Sequence, residues 1–204
     1  PPRREAQLWY KPTSRGEPRI LMLFSPPADI RGVAFLSLGS SSGAADQWLY
    51  LPAYKKARRL SSHGRDESFL DSDFSNGDIS FEYQDAFDFK TIGEKKIAND
   101  DVYVVEGKVK AAKQNSLPYS RQILYFTKTQ QLAVRAEFYD RKNELVKTLS
   151  MANWKKYANR WSCDKISVEN AKTGHRSVLE FSSRDIKVNP ADRLFTTTEL
   201  ERGR

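Results

Sequence analysis

One cysteine, two histidines and no long apolar run set the first limits on this chain. Cys163 alone forms neither an internal disulfide nor a cysteine-based zinc site, and one thiol does not decide the redox compartment. His63 and His175 lie far apart, and neither has a metal-ligand neighbour, which argues against a His/Cys centre. The longest apolar run, Ile20 to Phe24, is far below the roughly 18–20 residues of a spanning helix. There is no Walker loop and no G-x-S-x-G element. Helix-period patterning is scarce, and no solenoid register repeats. No signal peptide is present, but the chain starts Pro1-Pro2-Arg3-Arg4 without Met. An N-terminal segment is therefore expected to be missing, and the absent signal says nothing of export.

The 204 residues suit a single domain, 1–204, large enough for a core. Aromatic residues make up 12% of the chain, and this Phe and Tyr content favours strands. The net charge of +8 suits acidic partners such as nucleic acid or anionic lipid, or simply a solvated basic surface. Periodicity is mostly two. Strands are expected at Gln7–Lys11, Arg19–Phe24, Gly32–Gly39, Trp48–Leu51, Arg58–Ser61, Ala86–Ile92, Val102–Val109, Tyr119–Thr127, Leu132–Asp140, Lys165–Glu169 and Ser177–Ser182, while Glu144–Tyr157 has an ambiguous pattern, with a strand favoured. In the Leu132–Asp140 strand, Leu132, Val134, Ala136 and Phe138 are expected inward, with Arg135, Glu137 and Tyr139 outward. Asp66 to Ile79 breaks the alternation and holds a short helix or a lid-like loop. Thr196 and Glu199 have capping-box spacing for a last helical turn. Many short strands at near-regular spacing indicate a mainly β protein: an antiparallel barrel, half-barrel or sandwich.

The stretch from Asp46 to Tyr83 stands apart. It opens as an apolar strand, Trp48-Leu49-Tyr50-Leu51, which Pro52 ends for want of an N–H. Lys55, Lys56, Arg58 and Arg59 follow, then a polar loop carrying Phe69 and Phe74. Its acidic run from Asp71 places Glu82 at the twelfth position of a calcium loop, but Asn76 stands at the sixth, where glycine is needed, and the flanks are not helices. Asp71, Asp73 and Asp78 are read instead as turn caps or partners of Arg58 and Arg59. Basic residues beside aromatics, at Tyr54 to Arg59 and at Trp154-Lys155-Lys156-Tyr157, are compatible with nucleic-acid binding. Core aromatics with solvated lysines explain them better, and no nucleic-acid partner is expected. A hydrolase acting on envelope polymers would need a paired-carboxylate cleft, and no pair is singled out.

Strands apolar on both faces need two covers. One is a packed core; the other is a helix, a second sheet, or a cavity for an apolar ligand. Trp48 and Tyr50 share one face and Leu49 and Leu51 the other. In the cavity reading, Arg58 and Arg59 sit near the mouth and meet a phosphate or ester carbonyl, while Phe69, Leu70 and Phe74 close over it.

The string QWLYLPAYKKARRLSS…SFLDSDFS resembles the motif of LolA-like outer-membrane lipoprotein-sorting proteins: approximately W-x-Y-L-P, basic residues with R-R, then S-F-x-x-S-D-F. PADIRGVAFL, LYFTKTQQLAVRAEFYDRKNELVKTL and LFTTTELER are also similar to that family, so the resemblance runs from about Phe24 to the end. Leu70-Asp71 depart from it where a small Met-Gly pair is common. The resemblance implies a strongly curved, unclosed antiparallel half-barrel with one or two short helices as lid. It implies a non-enzymatic periplasmic carrier of lipoprotein acyl chains or other lipids, without cofactor or metal, exported by a signal peptide absent here and not membrane-spanning. Phe35, Trp48, Tyr50, Phe69 and Phe74 are then expected to contact acyl chains. Arg58 and Arg59 would hold the head group or a partner, and Asp73 would pair with them or cap the lid. The alternative is a non-catalytic module of the same fold that binds an export pump or an outer-membrane protein.

Overall fold

The computed structural model describes residues 3–25, 27–40, 43–61, 64, 66–80, 86–114 and 117–202, with 43 and 44 described in backbone only. His63 and Glu82, weighed above as ligand candidates, lie outside these residues. The described residues form twelve strands and two short α-helices. The mainly β, unclosed antiparallel architecture expected from the sequence is observed, divided between two sheets. No helix among the described residues is long and apolar enough to cross a membrane. The chain splits into two compact units. The first is Pro1–Glu67, Asn76–Glu82 and Asp185–Arg204; the second is Ser68–Ser75 and Tyr83–Arg184.

The first unit holds β1 (Ala6–Pro12), β2 (Pro18–Phe24), β3 (Ala34–Ser40), β4 (Gly43–Leu51) and β5 (Lys56–Arg59), paired in sequence order. It also holds α1 (Asn76–Ser80) and α2 (Thr197–Glu201). Strands β2 to β4 are apolar on both faces, so each face must be covered. On one face lie Leu21, Ala34, Leu36 and Tyr50, with Trp9, Leu23, Leu38, Trp48 and Ala57 beside them. Leu194, Phe195 and Leu200 from the C-terminal segment cover this face.

Polar contacts fix that cover. Thr196 caps α2, its hydroxyl accepting from Glu199 N at 3.2 Å, as the sequence spacing predicts. Asp192 takes Arg19 at 2.8 Å and Lys11 at 3.1 Å. Its carboxyl is held below the ordinary carboxylate range by these cations, Lys11 first. The Arg19 guanidinium also lies 5.1 Å from the Phe195 ring centre. Glu201 accepts the Ala57 N–H at 3.0 Å, so α2 satisfies an amide of edge strand β5. Alternation sends Ile20, Met22, Phe35, Ser37 and Gln47, all buried, to the opposite face. There Gln47 donates to Asn76 O at 3.1 Å and to Ser80 Oγ at 2.5 Å, tying β4 to α1.

The second unit is a meander of β6 (Phe87–Ile97), β7 (Asp100–Val109), β8 (Arg121–Thr127), β9 (Ala133–Tyr139), β10 (Leu145–Tyr157), β11 (Arg160–Asn170) and β12 (Arg176–Glu180). Every strand pairs with its sequence neighbour, so short hairpins build the whole sheet. Phe87, Tyr119, Ala136 and Phe138 form a core on one face, with Leu124, Leu149 and Met151 against it. Val102, Ile123 and Tyr125 form another cluster.

Two expectations for β9 are corrected. The register shifts between Tyr125 and Phe126, which pair with Arg135 and Ala133. Val134 is therefore bulged and packs with the Val102 cluster, not with Ala136 and Phe138. Glu137, expected outward, is buried. Its Oε2 accepts from Tyr125 at 3.0 Å and Tyr139 at 2.9 Å, and its Oε1 meets Arg135 at 2.9 Å. Burial, then the Glu137 charge, push the Tyr125 hydroxyl up to about 12.

A second buried carboxylate, Asp164, fastens the end of this unit. Arg184 Nε donates to it at 2.8 Å, Tyr157 at 2.8 Å, and Lys155 meets it at 3.0 Å. These donors, Arg184 foremost, draw its carboxyl down to about 2. A depressed carboxyl contributes stability that is whole above its ordinary value of 3.8 and fades as pH falls towards 2. Asp164→Asn is thus expected to lower the melting temperature at pH 7 and to flatten its fall between about pH 4 and 2. Melting curves across that range check it, and equal slopes in both proteins would refute it. Leu36 is 0% exposed beneath the C-terminal cover, and Leu36→Ala is expected to cost about 2–5 kcal/mol in urea denaturation.

Candidate lipid-binding site

The residues picked from the sequence do not converge within one unit. Phe35, Trp48, Tyr50, Arg58 and Arg59 belong to the first, and Phe69, Phe74 and Asp73 to the second. Within the first unit Trp48 and Tyr50 share a face, as alternation demands, and the C-terminal segment covers it. Phe35 is wholly buried on the opposite face. Its register partner is Leu49, whereas Ala34 pairs with Tyr50 and Leu36 with Trp48.

Arg58 and Arg59 are also separated. Consecutive strand residues point to opposite faces, and here Arg58 pairs with Leu49 and Arg59 with Trp48. Arg58 stacks 4.6 Å from the Tyr54 ring centre, and Arg59 is engaged by Asp46. The two do not form a joint anion clamp. Asp73 is bound elsewhere: its Oδ2 accepts Ser177 Oγ at 2.7 Å and lies 2.5 Å from His175 Nδ1, while its amide donates to Ser177 Oγ at 3.0 Å. Asp73, expected either to pair with Arg58 and Arg59 or to cap the lid, clasps the β11–β12 hairpin within its own unit.

The Ser68–Ser75 segment is a tight loop closed on itself. Phe69 N donates to Phe74 O at 2.7 Å, and Ser72 N to Phe69 O at 3.1 Å. Ser68 and Ser75 form an isolated bridge, and both phenylalanines are buried. Leu70 and Asp71 adopt φ of 49° and 58°, the left-handed region that a glycine would enter without strain.

An open hollow among the described residues lies on the seven-stranded sheet. A pocket of about 300 Å³ is lined by Thr91, Tyr103, Val105, Phe126 and Gln131. Register explains the set: Thr91 pairs with Val105 and Tyr103 with Phe126, so these four share one face of β6 to β8. Gly107 continues that face, and a Cβ there would meet Phe89 at 2.7 Å, so the bare backbone lets the Phe89 ring lie across it. Phe89 is 45% exposed. At the rim, the Lys128 ammonium lies 5.5 Å from the Tyr103 ring centre and bonds Glu94, whose hydrogen bond raises its pKa. The site is an open, aromatic and aliphatic hollow with a cation beside it. Thr91 and Gln131 add polar groups to a lining otherwise made by Tyr103, Val105 and Phe126. The sequence carried a signal for it: Val102 to Val105 is apolar on both faces, the same habit that drew attention to β2 and β3.

A family model described as "uncharacterized protein" matches residues 16–202, nearly the whole chain. Solved structures agree with it across the same span. An outer membrane lipoprotein-sorting protein domain from Vibrio parahaemolyticus is 31% identical with a TM-score of 0.90, over 98% of this chain and 84% of that one. A DUF1329 family protein from Desulfovibrio piger is 31% identical with a TM-score of 0.89, over 97% and 83%. The chain belongs to this LolA-like family. A LolA superfamily protein from Nitrosomonas europaea is similar at 25% identity and a TM-score of 0.71, over 96% and 82%. No curated protein sequence matches.

Asp71 holds a left-handed backbone in which glycine has no Cβ to place. Asp71→Gly removes a left-handed Cβ and is expected to stabilise by about 0.5–1 kcal/mol. Equilibrium urea unfolding reads this directly; a destabilised variant would refute it.

Proposed function

We propose that this LolA-like chain is a non-catalytic periplasmic carrier that binds acyl chains of lipoproteins or other lipids on their way to the outer membrane. The observation that carries the reading is the open hollow in which Tyr103, Val105 and Phe126 lie together, in a chain of lipoprotein-sorting fold. Acyl carbons gain from leaving water on such a surface, while Lys128 stands near the polar end. That one family model spans 16–202, across both units, favours treating 1–204 as one working domain. Phe35, Trp48, Tyr50, Phe69 and Phe74 are the competing contact set, and each is packed against protein atoms rather than open.

The test is native mass spectrometry of the chain purified from a bacterial envelope, with lipid identification after extraction. Tyr103→Ser/Phe126→Ser is expected to lower retained lipid about tenfold or more with an unchanged circular dichroism spectrum. Trp48→Ser/Phe74→Ser is expected to cost stability first. Undiminished retention in a folded Tyr103→Ser/Phe126→Ser variant would move the site away from the hollow. A folded wild-type chain that stays empty would overturn the carrier reading. A second reading, a non-catalytic module binding an export pump or an outer-membrane protein, is favoured by one feature: Lys55, Lys56, Arg58 and Arg59 are all exposed on or beside edge strand β5.

A further inference from the structure

The β10–β11 hairpin runs past the sheet that bears it. Pairing of β10 with β9 ends at Ser150, and pairing of β11 with β12 ends at Lys165. The β10–β11 pairing continues to Tyr157 and Arg160, so among the described residues 151–164 form a two-stranded ribbon. A two-residue turn, Ala158-Asn159, closes it. The ribbon is rooted firmly. Trp154 Nε1 donates to Ala133 O at 3.1 Å, and Tyr157 and Lys155 are held by Asp164, itself gripped by Arg184. Its tip is therefore presented in a fixed shape and needs little ordering on contact.

The chemistry of the tip is one-sided. From Leu145 to Cys163 there is no Asp or Glu. Lys156 and Arg160 are exposed, and among the described residues neither has an ion pair. Trp161 pairs across the ribbon with Lys156, so indole and ammonium share a face, and the indole is 39% exposed. Arg160 pairs with Tyr157 on the other face. We propose that this ribbon tip docks the protein on an anionic phospholipid surface, with Lys156 and Arg160 on the phosphates and Trp161 at the headgroup level.

Cations with a single amphipathic indole match a headgroup layer, where each basic residue strengthens adsorption roughly fivefold and tryptophan prefers the interface. A single-stranded nucleic acid would need several bare rings to stack on. Here the Trp154 and Tyr157 polar groups are engaged and neither ring lies fully open, which leaves only Trp161. The proposal does not depend on the cargo of the hollow, because the ribbon and the hollow use different residues.

The test is co-sedimentation of the lipid-stripped full chain with phosphatidylcholine vesicles, with and without phosphatidylglycerol. Wild type is expected to bind only the anionic vesicles, more weakly as salt rises. Lys156→Glu/Arg160→Glu is expected to weaken binding roughly thirtyfold or more, and Trp161→Ser roughly threefold or more. The control is Lys142→Glu/Lys172→Glu, which makes the same charge change in exposed turns at the opposite end of the same strands. It is expected to weaken binding less than about threefold. Equal losses in the two reversals would overturn the proposal, since net charge alone would then explain the attraction. So would absent binding by wild type, or tip-dependent binding to a single-stranded oligonucleotide that exceeds binding to vesicles. Lys156→Gln/Arg160→Gln, checked by circular dichroism, serves if the reversal disturbs folding. Failure here leaves lipid retention untouched, so it is distinguishable from failure of the carrier reading.

Discussion

A strand with apolar residues on both faces must be covered twice, and most of this structure follows from how that demand is met. In the five-stranded sheet, β2 to β4 bury one face under Leu194, Phe195 and Leu200. On the other face Phe35 and Met22 are buried, and Gln47 reaches α1. Neither helix exceeds five residues, too short to persist in isolation. The helices exist because the sheet needs them, and the capping of α2 by Thr196 fixes where the cover begins. In the seven-stranded sheet the demand is met incompletely. Phe87 and Phe138 are sealed, while Tyr103, Val105 and Phe126 line an open hollow. Strand β6, which borders that hollow, is exposed along nearly its whole length.

Polar burial sets the remaining order. Glu137 and Asp164 each gather several donors, so that each carboxylate fixes neighbouring strands and the segment after β12. Such groups are expensive to bury without partners and rigid once partnered. They lie away from the hollow's lining, which leaves that lining free of fixed charge except for Lys128 and Glu94 at its rim.

Strand positions were legible where short patterned runs and turn residues coincide, as in β1, β7 and β9, whereas the ambiguous pattern of 144–157 became a strand only through its pairing with β9 and β11. The cap at Thr196 was equally local. What escaped depended on register or on distant partners. Adjacent residues such as Arg58 and Arg59 part company by alternation alone, a fact the sequence already contained. By contrast, nothing in the string relates Phe35 to Leu49 rather than to Trp48, because that needs the β3–β4 register. Asp73 could not be assigned to His175, 102 residues away, nor Trp48 to Phe195. The bulge at Val134 arises from a mismatch with β8, not from β9 itself. The family motif fixed the class, and four of its named aromatics, Phe35, Tyr50, Phe69 and Phe74, are buried.

The cover supplied by the C-terminal segment also has a temporal side. Lys11 bonds Pro190 O across 179 positions, and Arg19 meets Asp192 across 173. The five-stranded sheet is written in residues 6–59, yet its cover comes from Leu194, Phe195 and Leu200, far along the chain. During synthesis that apolar face has no cover until Leu200 has emerged. Contacts so distant in sequence close slowly. Completion of the first unit therefore waits on residues that follow the whole of the second unit in sequence.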